Sequence, residues 1–344
     1  MSGIIEPRVL KGFRDFLPDQ ESSRKRIRSI LENTFVRHGF VPIDTPILEY
    51  TDVLLGKGGG DTDKQVYRFT DHGERDVAMR FDLTVPFARF MAQHRGELYL
   101  PFRRYHIDKV FRGENTQRGR YREFVQCDFD VVGVDNASAD FEILLLMVRS
   151  LQALSIPGFT INLSHRGLLR SFLSKMGHSG EEAEVLRTLD KLPKVGGKET
   201  RASLTELTDS ASAESLLEFC RKADSWSATF TRLEEHLGAE EPALSRLAQI
   251  YEAAEKVGVA DRLDLNPAIT RGLDYYTGVV FETFLDDLPG IGSVCSGGRY
   301  NDLAGLYTKE HLPGVGSSIG LDRLIAALEE LGVAGLAGAA PELL

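Results

Sequence analysis

Residues 111–124 gather Phe111, Arg112, Glu114, Arg118, Arg120, Arg122 and Phe124 around a short turn that contains Gly113 and Gly119. A guanidinium is a planar fork of donors that matches the oxygens of a phosphate. Four of them beside an aromatic ring suit a polyphosphate carrying a purine, with Phe124 as the ring on which the base stacks. A solvated basic hairpin is the plainer alternative. The order of the residues, Phe-Arg-x-Glu and then Arg-Tyr-Arg-x-Phe, favours the ligand-holding reading.

The elements that must position these groups follow from hydrophobic period. Val110 and Phe111 on one side, and Phe124, Val125, Phe129, Val131 and Val132 on the other, predict two antiparallel strands joined by the polar loop. Residues 21–38 carry Ile27, Ile30, Leu31, Thr34 and Phe35 at helical spacing, and Gly39 is placed to end that helix. Residues 40–49 form an extended run whose Pro42 and Pro46 confine it to a sheet edge or an interface. A short strand over 77–84 leads into an apolar helix over 85–92, and a strongly apolar helix is predicted over 138–154. Residues 165–262 read mostly as amphipathic helices, after which strand-like patterning returns at 275–282 and continues to Arg323. The glycines of Gly314-Val315-Gly316-Ser317-Ser318-Ile319-Gly320 would let a strand lie close against a ligand, ahead of a helix with Leu321, Leu324, Ile325 and Leu328 on its buried stripe. Arg323 falls off that stripe, near a helix N-terminus that favours anions. A glycine-rich turn with a solvated arginine is the ordinary alternative. The fold class expected is α+β, a β-rich body interrupted by a helical block. Its parts are residues 1–164, a helical insertion over 165–262, the body again over 263–330, and a linker-like Ala/Gly/Leu tail over 331–344.

Composition narrows the partners. At 344 residues and 42% hydrophobic the chain can bury a large core, and its formal charge of −10 excludes a generic nucleic-acid binder. Any RNA contact would come from a local patch, and Arg103, Arg104, Lys109, Arg112, Arg118, Arg120 and Arg122 stand against only Asp108 and Glu114 within 103–122. Cys127, Cys220 and Cys295 are odd in number and far apart, which argues against a disulfide framework or a zinc knuckle. With no basic-then-apolar leader and no membrane-spanning apolar run, a cytoplasmic setting is expected.

The arginine hairpin resembles motif 2 of the class II aminoacyl-tRNA synthetases, the helix and proline-bearing strand before it resemble motif 1, and residues 314–324 resemble motif 3. Arg271-Gly272-Leu273-Asp274-Tyr275-Tyr276-Thr277-Gly278 and Cys295-Ser296-Gly297-Gly298-Arg299-Tyr300 resemble the two signatures of the histidyl-tRNA synthetase family. Lys11-Gly12-Phe13-Arg14-Asp15-Phe16-Leu17-Pro18 is similar to that family's opening, with Phe13 where a threonine is common. The resemblance runs from Lys11 to about Leu328. It implies the class II antiparallel sheet flanked by helices, with ATP and histidine as substrates, tRNA(His) as partner and Mg²⁺ accompanying ATP, although no carboxylate cluster fixes the metal's ligands. It also implies a homodimer formed through residues 21–49.

The resemblance further implies residue roles. Asp82, Thr84 and Gln126 would hold the amino group of histidine, and Asp130 and Tyr276 its imidazole, with Tyr275 nearby. A neutral imidazole needs one donor and one acceptor, which a carboxylate and a phenol provide. Tyr275 and Tyr276 also read as core packing, and as neighbours on a strand one of them should turn inward. Arg271 and Arg112 would flank the α-phosphate as the catalytic pair, Glu114 would touch the adenine end, Phe124 would stack on adenine, and Arg120 and Arg323 would hold the outer phosphates.

A second member of the same fold competes, a synthetase-like regulatory subunit of ATP phosphoribosyltransferase. The chain ends where the family's anticodon-binding domain would begin, which favours that alternative and implies poor charging of tRNA. The intact arginines of motifs 2 and 3, and Arg271 with the segment after it, favour the ligase.

Overall fold

The computed structural model describes residues 4–56, 64–190, 192–269 and 275–333. Arg271, expected to be catalytic, lies outside the described residues, as do Gly272, Leu273 and Asp274 and most of the 331–344 tail.

From the N-terminus the described chain forms α1 (Pro18–Arg37), β1 (Val41–Pro42), β2 (Leu48–Tyr50), α2 (Thr51–Leu55), β3 (Arg68–Thr70), β4 (Asp76–Met79), α3 (Thr84–Gln93), β5 (Phe102–Phe111), β6 (Glu123–Val132), α4 (Ala137–Ala153) and β7 (Phe159–His165). Helices α5 (Arg166–Lys175), α6 (Glu182–Asp190), α7 (Leu192–Val195), α8 (Gly197–Leu207), α9 (Ser210–Phe219), α10 (Trp226–Leu237) and α11 (Pro242–Lys256) come next, with no strand among them. The chain then returns to strands in β8 (Leu263–Leu265), β9 (Val279–Leu285), β10 (Cys295–Arg299) and β11 (Gly314–Gly320), and α12 (Leu321–Glu330) follows.

Eight strands make one sheet in the order β1-β5-β6-β11-β10-β9-β7-β8, antiparallel from β5 to β7 and parallel only where β1 and β8 join its edges. Strands β2, β4 and β3 form a separate antiparallel sheet. The extended run over 40–49 therefore divides between two sheets, and its prolines are the reason: Pro42 has no N–H to continue a ladder, and β1 stops there after two residues.

Register sorts the side chains of the large sheet by face. Tyr105, Phe129, Ser317 and Gly297 lie in one cross-strand row, and Ile107, Cys127, Ile319 and Cys295 in the next. This is the apolar face, covered by α1, α4 and α12, where Ile27, Leu31, Phe35, Leu144, Met147, Val148, Leu321 and Leu324 are buried. Each fully buried Leu, Ile or Phe contributes roughly 1.5–3 kcal/mol of transfer free energy. Asn136 caps α4 by accepting the Ala139 amide, and the helix packs on α1 and α11 as well as on the sheet. The same core continues through Leu173, Leu204, Leu216, Phe219, Leu233 and Leu247 of α5 to α11. Asp140 on α4, fully buried, pins that region: it accepts from Arg246 of α11 at 2.5 Å and from Arg299 of β10 at 2.8 Å.

Candidate active site

On the opposite face the same register places Arg104, Asp130, Gly316 and Gly298 in one row, then His106, Asp128, Ser318 and Ser296, then Asp108, Gln126 and Gly320. Period 2 does this automatically: in Gln126-Cys127-Asp128-Phe129-Asp130 the apolar members enter the core and the polar ones share the other face.

Arg104 is fully buried at the centre, with its guanidinium 2.8 Å from Asp130 Oδ2, 4.0 Å from Asp128 Oδ2 and 4.2 Å from the Phe87 ring centroid. Tyr300 donates to Asp130 Oδ1 at 2.5 Å. Gln126 donates to Ser318 Oγ at 2.8 Å, and its own Oε1 is buried with no donor among the described residues. Asp82, in the turn after β4, accepts the Val85 amide at 3.1 Å and the Tyr275 hydroxyl at 3.2 Å, and Tyr275 also bonds Thr84 at the start of α3.

Burial pushes Asp82 and Asp130 above the usual carboxylate range, against the pull of Arg112 and Arg104 on the first and of Arg104 and Tyr300 on the second. Burial also raises Asp128 to about 7, with Arg104 lowering it and Asp130 and Asp82 raising it further. Three buried carboxyls thus surround one buried guanidinium. The arrangement is a buried acidic site, rich in acceptors and suited to a ligand with N–H donors.

Against this pocket lies the loop between β5 and β6. Arg112 donates to the Phe81 carbonyl at 2.9 Å and its guanidinium lies 5.2 Å from the Phe124 ring. Arg120 pairs with Glu114 at 3.1 Å, and Arg323 at the start of α12 donates to the Ser293 carbonyl at 2.5 Å. Arg323 is held below the usual arginine value, first by burial and then by Arg120 and Arg112, with Glu114 and Glu282 opposing. Mutual repulsion of that kind is what an arriving polyanion relieves. Gly119, at φ +69°, lets the loop close on the helix: a Cβ there would lie 3.1 Å from the Arg323 Cα.

The structure therefore brings together Asp82, Thr84, Gln126, Asp130, Tyr275 and Tyr276 on one side and Arg112, Glu114, Arg120, Phe124 and Arg323 on the other. Several expectations need correction. Tyr275 and Tyr276 precede β9 instead of lying in it, so they do not alternate between two faces: both pack against the smaller core of Phe81, Val85, Ala88 and Leu303, their rings edge to face at 5.0 Å. The glycines of β11 admit the protein's own side chains, since a Cβ on Gly316 would fall 1.9 Å from Asp130 Oδ1 and one on Gly314 2.3 Å from the Tyr300 ring. The basic patch is largely neutralised: Arg103 pairs with Glu142, Arg104 with Asp130, Lys109 with Glu123, Arg118 with Glu330 and Arg120 with Glu114. Asp128, Arg104, Ser318 and Tyr300 were missed as site residues. Asp128 was within reach, because a residue between Gln126 and Asp130 at spacing two must share their face.

All three cysteines are buried and free, and burial raises the Cys220 and Cys295 thiols to about 12. Among the described residues no helix is long and apolar enough to cross a membrane.

The geometry agrees with what the chain is similar to. A family model described as histidyl-tRNA synthetase matches residues 12–324. A histidine–tRNA ligase of Treponema denticola is 54% identical over 96% of this chain and 75% of its own length, and one of Rhodopirellula baltica is 50% identical over 96% and 76%. The crystal structure of histidyl-tRNA synthetase from Nostoc sp. PCC 7120 superposes with a TM-score of 0.85 at 32% identity, covering 96% of this chain and 77% of that one. A Bacillus halodurans structure titled ATP phosphoribosyltransferase regulatory subunit/histidyl-tRNA synthetase gives 0.82 at 26% identity over 95% and 84%. With its two-sided sheet, its arginine hairpin and nearly its whole length matched, this chain belongs to the histidyl-tRNA synthetase family.

Proposed function

We propose that the chain is a histidine–tRNA ligase, which activates histidine with ATP to histidyl-adenylate and transfers it to tRNA(His). One observation carries the reading most: a buried acidic cluster, with a Gln126 Oε1 that has no donor among the described residues, lies beside a group of arginines in mutual repulsion. Asp82, Thr84 and Gln126 receive the ammonium, and Asp130, Asp128 and Tyr276 face the imidazole. Buried polar groups of this kind discriminate strongly, because an apolar amino acid would leave them unpaired.

An oxygen of the histidine carboxylate attacks the α-phosphorus, and the bond from that phosphorus to the bridging oxygen of pyrophosphate breaks. The nucleophile is already an anion, so this step needs no general base. What remains is positioning and the neutralising of charge in the transition state. Arg112 lies along the α-phosphate, where the family resemblance also assigns Arg271; Arg120 and Arg323 hold the outer phosphates, Glu114 meets the adenine end and Phe124 stacks on the base. Mg²⁺ commonly binds through one or two carboxylates plus phosphate oxygens, and Glu282, whose charge acts on Arg323, would supply a carboxylate beside those phosphates. The same reading treats 165–262 as an inserted helical module and the protein as cytoplasmic.

It also makes the protein a homodimer. Val36, Val41, Ile47, Leu48 and Tyr50 are exposed along α1, β1 and β2, a run of apolar surface suited to a second copy. A monomer mass by light scattering at micromolar concentration would contradict this.

Histidine-dependent exchange of pyrophosphate into ATP, without tRNA, tests the activity. The regulatory-subunit alternative forms no adenylate and gives no exchange.

A further inference from the structure

The opening segment, residues 11–18, has no part in the chemistry above, yet it is tied both to the loop that carries Arg112 and Arg120 and to the start of α12, which carries Arg323. Gly12 adopts φ +87°, and its carbonyl accepts the Arg122 amide at 2.9 Å, on the outgoing side of the arginine loop. A Cβ on Gly12 would lie 2.7 Å from Arg122 Cγ, so the two chains touch backbone to side chain. Phe13 packs its ring 6.4 Å from Phe111, where the loop begins, and 6.1 Å from Tyr67.

Arg14 makes the decisive link. Its guanidinium lies over the Tyr121 ring at 3.2 Å and donates to Asp322 Oδ1 at 2.5 Å. The same oxygen accepts from Arg24 of α1 at 2.6 Å, and Asp322 Oδ2 accepts the Val125 amide at 2.8 Å. β11 pairs with β6 only as far as Gly320 opposite Gln126, so at Val125 the Asp322 carboxylate takes over the ladder from a strand that has ended. Asp322 is 5% exposed, and the next residue is Arg323. Four segments therefore meet at one carboxylate: the opening segment, α1, the end of the arginine loop and the start of α12.

Resting on the proposed activity, we infer that Arg14 and Asp322 are positioning residues for ATP, and that residues 11–18 brace the nucleotide side of the site. Arg14 acts through Tyr121 and Asp322, and Asp322 acts by fixing β6 and the first turn of α12 in one register, which sets the spacing of Arg112, Arg120 and Arg323. Among the described residues neither Arg14 nor Asp322 bonds to Asp82, Gln126, Asp128 or Asp130, so the histidine side is held by other contacts and should change less.

The test compares Arg14→Ala, Arg14→Lys, Asp322→Asn and the parent chain by calorimetric titration with ATP alone and by exchange kinetics. Arg14→Ala should weaken ATP binding by about tenfold, the loss expected for a charge-assisted bond removed next to a binding site. The KM for ATP should rise in step while the KM for histidine stays within about twofold. Arg14→Lys should recover part of the loss, because it keeps the charge on Asp322 and loses the planar stack on Tyr121. Asp322→Asn should resemble Arg14→Ala and lose more thermal stability, and Arg14, about one-third exposed, keeps the test open if that variant does not fold. A lowered melting temperature with unchanged ATP affinity would reduce the segment to a structural role and overturn the proposal, as would an equal rise of both KM values. If the parent binds ATP but shows no exchange, the activity fails while the ATP titrations still decide the brace. A parent that binds no ATP overturns both.

Discussion

The carboxylate of Asp130 occupies the place where a side chain on Gly316 would be: a Cβ there would lie 1.9 Å from Asp130 Oδ1. The two residues are cross-strand partners, and the oxygen cannot move aside freely because Tyr300 holds it at 2.5 Å and Arg104 holds its mate at 2.8 Å. The glycine of β11 and the acid of β6 are one feature of the pocket wall.

Gly316→Ala should therefore destabilise the fold by about 1–3 kcal/mol, the usual range for overpacking, and raise the KM for histidine by displacing Asp130. Thermal melts and exchange kinetics read both effects. In an Asp130→Ala background Gly316→Ala should cost less than in the parent, with the histidine defect remaining, whereas additive losses would separate the two residues.

Asp128 gives a pH signature. Its folded value of about 7 lies above the ordinary carboxylate value, so the native state holds the proton more tightly than the unfolded chain. Its contribution to stability is present at low pH and is lost as pH rises from about 4 to about 7. Asp128→Asn should remove that slope, so the variant gains on the parent across this window and the difference levels off above it. His106 and His165, both lowered to about 4 by burial first and then by nearby arginines, slope the other way, so the difference between the two proteins reads Asp128 better than either curve alone. Urea titrations of parent and variant between pH 4 and pH 8 check this, and a difference that does not change with pH would place Asp128 at an ordinary value.

Arg246 and Arg103 look alike as ion pairs, at 2.5 Å from Asp140 and 2.5 Å from Glu142, but burial separates them. Asp140 is fully buried, and Arg246→Ala would leave its Oδ2 without its partner, at about 1–3 kcal/mol. Arg103→Ala removes a pair of which both members are about one-third exposed, worth less than about 1 kcal/mol. Denaturant midpoints for the two variants should differ accordingly.

Much of this was legible in the sequence because it rests on local period. The hairpin of β5 and β6, the arginine-bearing loop that joins its strands and the buried stripe of α12 all follow from alternation or from helical spacing. What escaped was fixed by pairing across distance. Arg104 read as part of a basic surface, but its partners Asp128, Asp130 and the Leu83 carbonyl are on other elements. Arg299, inside a signature that resembled a ligand site, turns to Asp140 instead, and Tyr300 beside it turns to Asp130. Those choices follow from strand register and helix placement, which no short window of sequence contains.

The most direct test of the central claim is histidine-dependent exchange of pyrophosphate into ATP by the purified, folded chain in the absence of tRNA. Exchange that requires histidine and is absent with apolar amino acids is the expected result. No exchange above background, from a sample that melts cooperatively and binds ATP, would contradict the account.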